Sequence, residues 1–109
     1  MQFTTITCSE KGPREEQQDA AGIVSREDCL LAVVCDGAGG HRGGSRASKL
    51  AVQVACEAFG KADGKFEDPK SALLEICRTA HEEILKLGET PKLAPRSTIA
   101  ALYLAGGLL

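Results

Sequence analysis

The chain has 109 residues, 43% of them hydrophobic and 26% charged, with a formal net charge of -2. This is the composition of one ordinary globular domain with a modest core, and without a lysine or arginine stripe it excludes a nucleic-acid backbone as the expected partner. The longest apolar run, Cys29 to Cys35, is far too short for a membrane span, and the N-terminus has neither the basic start nor the apolar core of an export signal; no membrane partner and a cytoplasmic location are expected.

Gln2 to Cys8 is rich in Thr and Ile and reads as a strand. Ser9 to Gln18 is a polar loop broken by Gly12-Pro13. Ala20 to Ser25 is a second strand, Arg26-Glu27-Asp28 a turn, and Cys29 to Cys35 a continuous apolar strand buried on both faces. The last two form an antiparallel hairpin. Gly37 to Gly44 is a glycine-rich loop. Ser45 caps a helix running to about Phe59, whose Ala47, Leu50, Ala51, Val54 and Ala58 make one apolar stripe.

Asp68-Pro69 starts a second helix, with an acid at the N-cap and proline at the first helical position. Its stripe runs from Leu73 to Leu87, and Gly88 is the expected C-terminal cap. Thr90 to Pro95 is a loop, and Ser97 to Leu104 is a fourth strand. Ala105-Gly106-Gly107 reads as a hairpin turn, with Leu108-Leu109 opening a returning strand. Because that leaves a strand without its partner, a truncated chain is expected. The order β-β-β-α-α-β implies an α+β domain with helices layered on antiparallel sheet.

The five cysteines, Cys8, Cys29, Cys35, Cys56 and Cys77, are odd in number and lack C-x-x-C spacing. Neither a disulfide framework nor a zinc site is expected. Cys35, Cys56 and Cys77 fall inside apolar patterns, where reduced cysteine serves as a small hydrophobe.

The chemistry centres on Asp36. A buried strand delivers this carboxylate to its end, and Gly37-Ala38-Gly39-Gly40-His41-Arg42-Gly43-Gly44 follows. A carboxylate can bridge two hard cations, the Gly37 carbonyl can approach a metal closely, and the helix start offers free N–H groups to a phosphate. A plain Asp-Gly turn accounts poorly for four more glycines. The P-loop pattern lacks its lysine, since Ser45 directly follows Gly44. The dinucleotide pattern puts Arg42 where its third glycine belongs. His41, taken alone, is a solvated loop residue. A second segment, Arg14-Glu15-Glu16-Gln17-Gln18-Asp19, offers a guanidinium fork for phosphate oxygens and a carboxylate, Asp19, entering the second strand.

Together these segments resemble the metal-dependent protein phosphatases of the PPM or type 2C family, bacterial members especially. That family's Arg-x-x-Asn-(Glu/Gln)-Asp motif aligns with Arg14 to Asp19, its Asp-Gly-Met-Gly-Gly-His with Asp36 to His41, and its Gly-(Ser/Thr)-Thr with Arg96-Ser97-Thr98. The resemblance implies the N-terminal portion of an α-β-β-α sandwich with antiparallel sheets over residues 1–109. It implies that Arg14 holds the substrate phosphate, that Asp36 bridges two Mg²⁺ or Mn²⁺ ions, that Gly37 lends its carbonyl, and that Asp19 acts through metal-associated water. The implied reaction is hydrolysis of phosphoserine or phosphothreonine in proteins by a metal-activated water, the complete enzyme being a monomer. Gln17, Ala38 and Arg96 stand where the family has Asn, Met and Gly. The family's later Gly-Asp-Ser-Arg segment and its C-terminal metal-ligand aspartates are absent from the sequence. A non-catalytic relative used for regulation or binding, and a nucleotide-phosphate-binding domain, are the rival readings.

Overall fold

A computed structural model describes residues 19–38, 43–88 and 95–106. Its elements are β1 (Asp19–Arg26), β2 (Cys29–Ala38), α1 (Gly43–Lys61), α2 (Pro69–Leu85), β3 (Arg96–Ser97) and β4 (Ala100–Ala105). The strand expected at Gln2 to Cys8 and the returning strand at Leu108-Leu109 lie outside the described residues. The rest is an α+β fold of antiparallel sheet and two helices, as the sequence implies.

β2 is the central strand. On one side it pairs with β1, from Arg26 opposite Cys29 to Asp19 opposite Asp36. A two-residue turn joins them, with Glu27 at φ 52°. On the other side β2 pairs with β4 and then β3. The fourth strand, expected to run unbroken from Ser97 to Leu104, is thus split at Thr98-Ile99. The two pieces nevertheless keep one register against β2.

Both helices lie on one face of the sheet. Cys29, Leu31, Val33 and Cys35 point into the core and are each 5% exposed or less. They meet Ala47, Ala51, Val54, Ala55 and Phe59 of α1, while Ile76, Ala80 and Ile84 of α2 complete the cluster. Burying side chains of this kind contributes roughly 1.5–3 kcal/mol each for the larger ones. α1 approaches β1 so closely that a Cβ on Gly22 would lie 2.7 Å from Val52 Cγ1. The opposite face is open around Val34, Leu102 and Leu104, which are exposed, but closed at Leu30, which is 5% exposed, so the expectation of a strand buried on both sides holds only at that end.

The helix ends show which local signals hold. Asp68 caps α2 as expected, accepting the Ser71 N–H at 3.3 Å and the Ser71 hydroxyl at 2.8 Å. Ser45 does not cap α1. That helix starts at Gly43, and Ser45 is buried in its first turn, its carbonyl accepting from the Ser48 hydroxyl at 3.2 Å. Gly88 is not a left-handed cap either. α2 ends at Leu85, and a tightened turn satisfies its last carbonyls, with Leu87 N–H on Ile84 and Gly88 N–H on Leu85.

Among the described glycines Gly64 is left-handed, φ 78°, and it closes α1 with its N–H on the Phe59 carbonyl at 2.9 Å. Its own carbonyl accepts the Tyr103 hydroxyl at 2.9 Å, and Tyr103 packs on Phe66 with ring centroids 4.8 Å apart. This ties the end of α1 to β4.

Candidate metal centre

β2 does not end at Cys35. It continues through Asp36, Gly37 and Ala38 because β3 supplies a partner for those residues: Gly37 pairs with Ser97 and Ala38 with Arg96. Asp36 is therefore fixed within a three-strand-wide stretch of sheet, not at the mouth of a loop.

The hydrogen bonds around Asp36 set the geometry. Its N–H donates to Thr98 Oγ1 at 3.1 Å, and the Thr98 N–H donates to the Asp36 carbonyl at 2.9 Å. Both backbone groups of Asp36 are thus turned toward the β3–β4 side. Asp19, its register partner on the other side, must then form the narrow kind of antiparallel pair that exchanges no backbone hydrogen bond. In such a pair the Cα atoms lie about 4.5 Å apart and the side chains stand together on one face. That face is the one away from the helices. By the same alternation the Gly37 carbonyl is turned toward the β1 side, where Asp19 stands.

Two carboxylates placed opposite each other repel. Asp19 Oδ1 is buried, while Asp36 is exposed on the open face. Both also make further polar or electrostatic interactions. A hard divalent cation with oxygen ligands relieves that repulsion. Two carboxylates and a backbone carbonyl fit Mg²⁺ or Mn²⁺ better than zinc, which prefers cysteine and histidine. Among the described residues no group of three or more His, Cys, Asp or Glu side chains gathers to hold a metal.

Cys35 adjoins Asp36 in sequence but points the other way, into the core. Burial pushes its thiol up, against a smaller opposing effect from the Ser97 hydroxyl. It stays protonated at neutral pH and serves packing. Sequence reasoning gives Thr98 no role of its own, yet its hydroxyl is what holds the Asp36 N–H. Arg14, Gln17 and His41 lie outside the described residues, so the structure brings together Asp19, Asp36 and Gly37 of the expected site.

With this geometry in place, comparison with known proteins is decisive at the family level. The family described as Protein phosphatase 2C matches residues 12–107. The chain belongs to that family. A 2C-type chain of this kind has relatives in two mycoplasmas. One described as "Putative protein phosphatase" from Mycoplasma genitalium is 46% identical over 52 residues, 47% of this chain and 20% of the relative. Another of the same description from Mycoplasma pneumoniae is 43% identical over 55 residues, 49% of this chain and 21% of the relative. The match thus spans about a fifth of the length of either relative.

The solved serine/threonine phosphatase of S. agalactiae shares the fold. It superposes with a TM-score of 0.75 at 24% identity, over 90% of this chain and 41% of that one. The 2C-type fold also disfavours the nucleotide-cradle reading, because dinucleotide cradles sit on parallel βαβ units and every described strand pair here is antiparallel.

Proposed function

We propose that this chain contributes one wall of a two-metal centre that hydrolyses phosphoserine or phosphothreonine in proteins. The observation that carries the reading is Asp19 opposite Asp36 on the open sheet face, in a chain of the protein phosphatase 2C family. Asp36 would be shared between the ions, Gly37 would add its carbonyl, and Asp19 would hold metal-associated water. Mg²⁺ or Mn²⁺ bound there would supply a water acidic enough to attack phosphorus near neutral pH and would offset charge on the phosphate oxygens. Arg14 would orient the phosphate through its guanidinium fork. The chain's own contribution is rigidity: Thr98 holds the Asp36 backbone through two hydrogen bonds, so its carboxylate is placed before substrate arrives.

The chain matches 41% of the solved phosphatase's length and about a fifth of its mycoplasma relatives, so the whole enzyme's activity, a cytoplasmic location and a monomeric state are parts of this proposal. The 109 residues alone should hydrolyse phosphate esters poorly, because the described residues supply two carboxylates to the centre. The test is Mn²⁺-dependent release of phosphate from a phosphothreonine peptide by the full-length protein, abolished by EDTA. A second reading, a non-catalytic relative that binds phosphoproteins, is favoured by Gln17, Ala38 and Arg96 standing where the family has other residues. Phosphopeptide binding without metal-dependent turnover would establish it instead.

A further inference from the structure

Asp36, Ala38 and Arg96 share the open face of the sheet. Cys35 points into the core, so the alternation of β2 puts Asp36 and Ala38, both exposed, on the other side. Arg96 is the register partner of Ala38, and directly paired residues of a ladder stand on the same face. Ser97 agrees with this alternation, since its hydroxyl lies against the buried Cys35 thiol.

Thr98 meets Asp36 through two hydrogen bonds, and Arg96 lies two residues before Thr98. Arg96 is thus diagonal to Asp36, with Cα atoms about 7–8 Å apart, a span that a long side chain covers. Arg96 is exposed and forms no ion pair among the described residues. Arg96 and Ala38 also depart together from the family's residues, Gly and Met. The register sets the two departures opposite each other. Bulk lost from β2 is regained on β3 as a longer, charged side chain.

A guanidinium is permanently charged and only donates hydrogen bonds. It cannot ligate a metal ion, and beside divalent cations it is repelled unless an anion stands between them. A phosphate has oxygens enough to face metal ions on one side and an arginine fork on the other.

We infer that Arg96 is a second phosphate-binding residue of the centre, reaching across Ala38 to the phosphoryl oxygens of the substrate. The metals and the phosphoester substrate rest on the phosphatase reading above, whereas the placement of Arg96 rests on the sheet register.

The test uses the full-length protein loaded with Mn²⁺ and titrated calorimetrically with inorganic phosphate. Arg96→Ala should bind phosphate about tenfold more weakly, as expected for the loss of one charge-assisted contact, and Arg96→Lys should recover part of the loss. In the absence of phosphate, Mn²⁺ should bind Arg96→Ala as tightly as wild type or more so, because a nearby positive charge is gone. Melting temperatures near that of wild type would show that both variants fold. Unchanged phosphate affinity in Arg96→Ala would overturn the inference, and so would weaker Mn²⁺ binding, which would make Arg96 a structural support of the metal centre. Hydrolysis of p-nitrophenyl phosphate is measured alongside, and kcat/KM should fall about tenfold in Arg96→Ala. Arg96-dependent phosphate binding by a wild-type protein without hydrolysis would remove the phosphatase reading and leave the phosphate contact standing.

Discussion

Asp19 and Asp36 face each other across the β1–β2 ladder, with the backbone of Asp36 committed to Thr98 on its other side. The consequence is two like charges brought close by the sheet itself. Such a pair costs stability by itself and suits a site completed by a cation.

Thr98 should matter more than an exposed strand-edge residue usually does. Thr98→Val keeps the shape and removes the acceptor for the Asp36 N–H. The expected cost is about 1 kcal/mol of stability, together with weaker Mn²⁺ binding because Asp36 is less firmly held. Thr98→Ser retains a hydroxyl and should recover most of both. Urea melts and metal titrations of the two variants check this.

Gly22 tests the packing of α1 on β1. A Cβ there would lie 2.7 Å from Val52 Cγ1 and 3.2 Å from Cys56 Sγ. Gly22→Ala should destabilise the fold by about 1–3 kcal/mol through overpacking. Combining it with Val52→Ala should restore part of that loss, and equilibrium unfolding of the double variant reads the recovery.

The Asp68 cap gives a pH dependence with a defined sign. Hydrogen bonds from the Ser71 hydroxyl and backbone hold the Asp68 carboxyl below its ordinary value. Its contribution is therefore fully present above the unfolded-state value, near pH 4, and is lost as pH falls through the lower folded-state value. Asp68→Asn, which cannot ionise, should flatten this part of the stability profile below about pH 4 and leave the rest unchanged. Thermal melts across pH 2.5–6 measure it.

The described cysteines should react in a fixed order. Cys77 is exposed, whereas Cys29 and Cys35 are buried, and burial raises the thiols of Cys35 and Cys56. Reaction goes through the thiolate, so iodoacetamide at neutral pH should label Cys77 at least tenfold faster than Cys35. Peptide mass mapping over time tests the order.

What the sequence disclosed follows from how local each signal is. Asp68-Pro69 is a self-contained helix start, and its cap appears where expected. The stripe of α1 and the β1–β2 hairpin are short-range patterns and were equally legible. The break at Thr98-Ile99 was not, because it depends on a hydroxyl meeting a backbone N–H 62 residues away. For the same reason Asp36 and Gly37 looked like the start of a loop: their extension past Cys35 depends on pairing with residues distant in sequence, Asp19 and Ser97. Ser45 matched the composition of a cap, but burial against the core drew it into the first turn. Asp19 and Asp36 could each be named from motif spacing, whereas their side-by-side placement follows from register, which no single segment contains.

The most direct measurement is calorimetric titration of the full-length protein with Mn²⁺, wild type against Asp36→Asn, paired with melting of both proteins in EDTA. The account predicts that Asp36→Asn loses at least one metal equivalent. It also predicts that the metal-free variant melts at the same temperature as wild type or higher, since one of two opposed charges is gone. Unchanged Mn²⁺ stoichiometry and affinity in Asp36→Asn would contradict it, and Asp36 would then be a strand residue with no part in a metal centre.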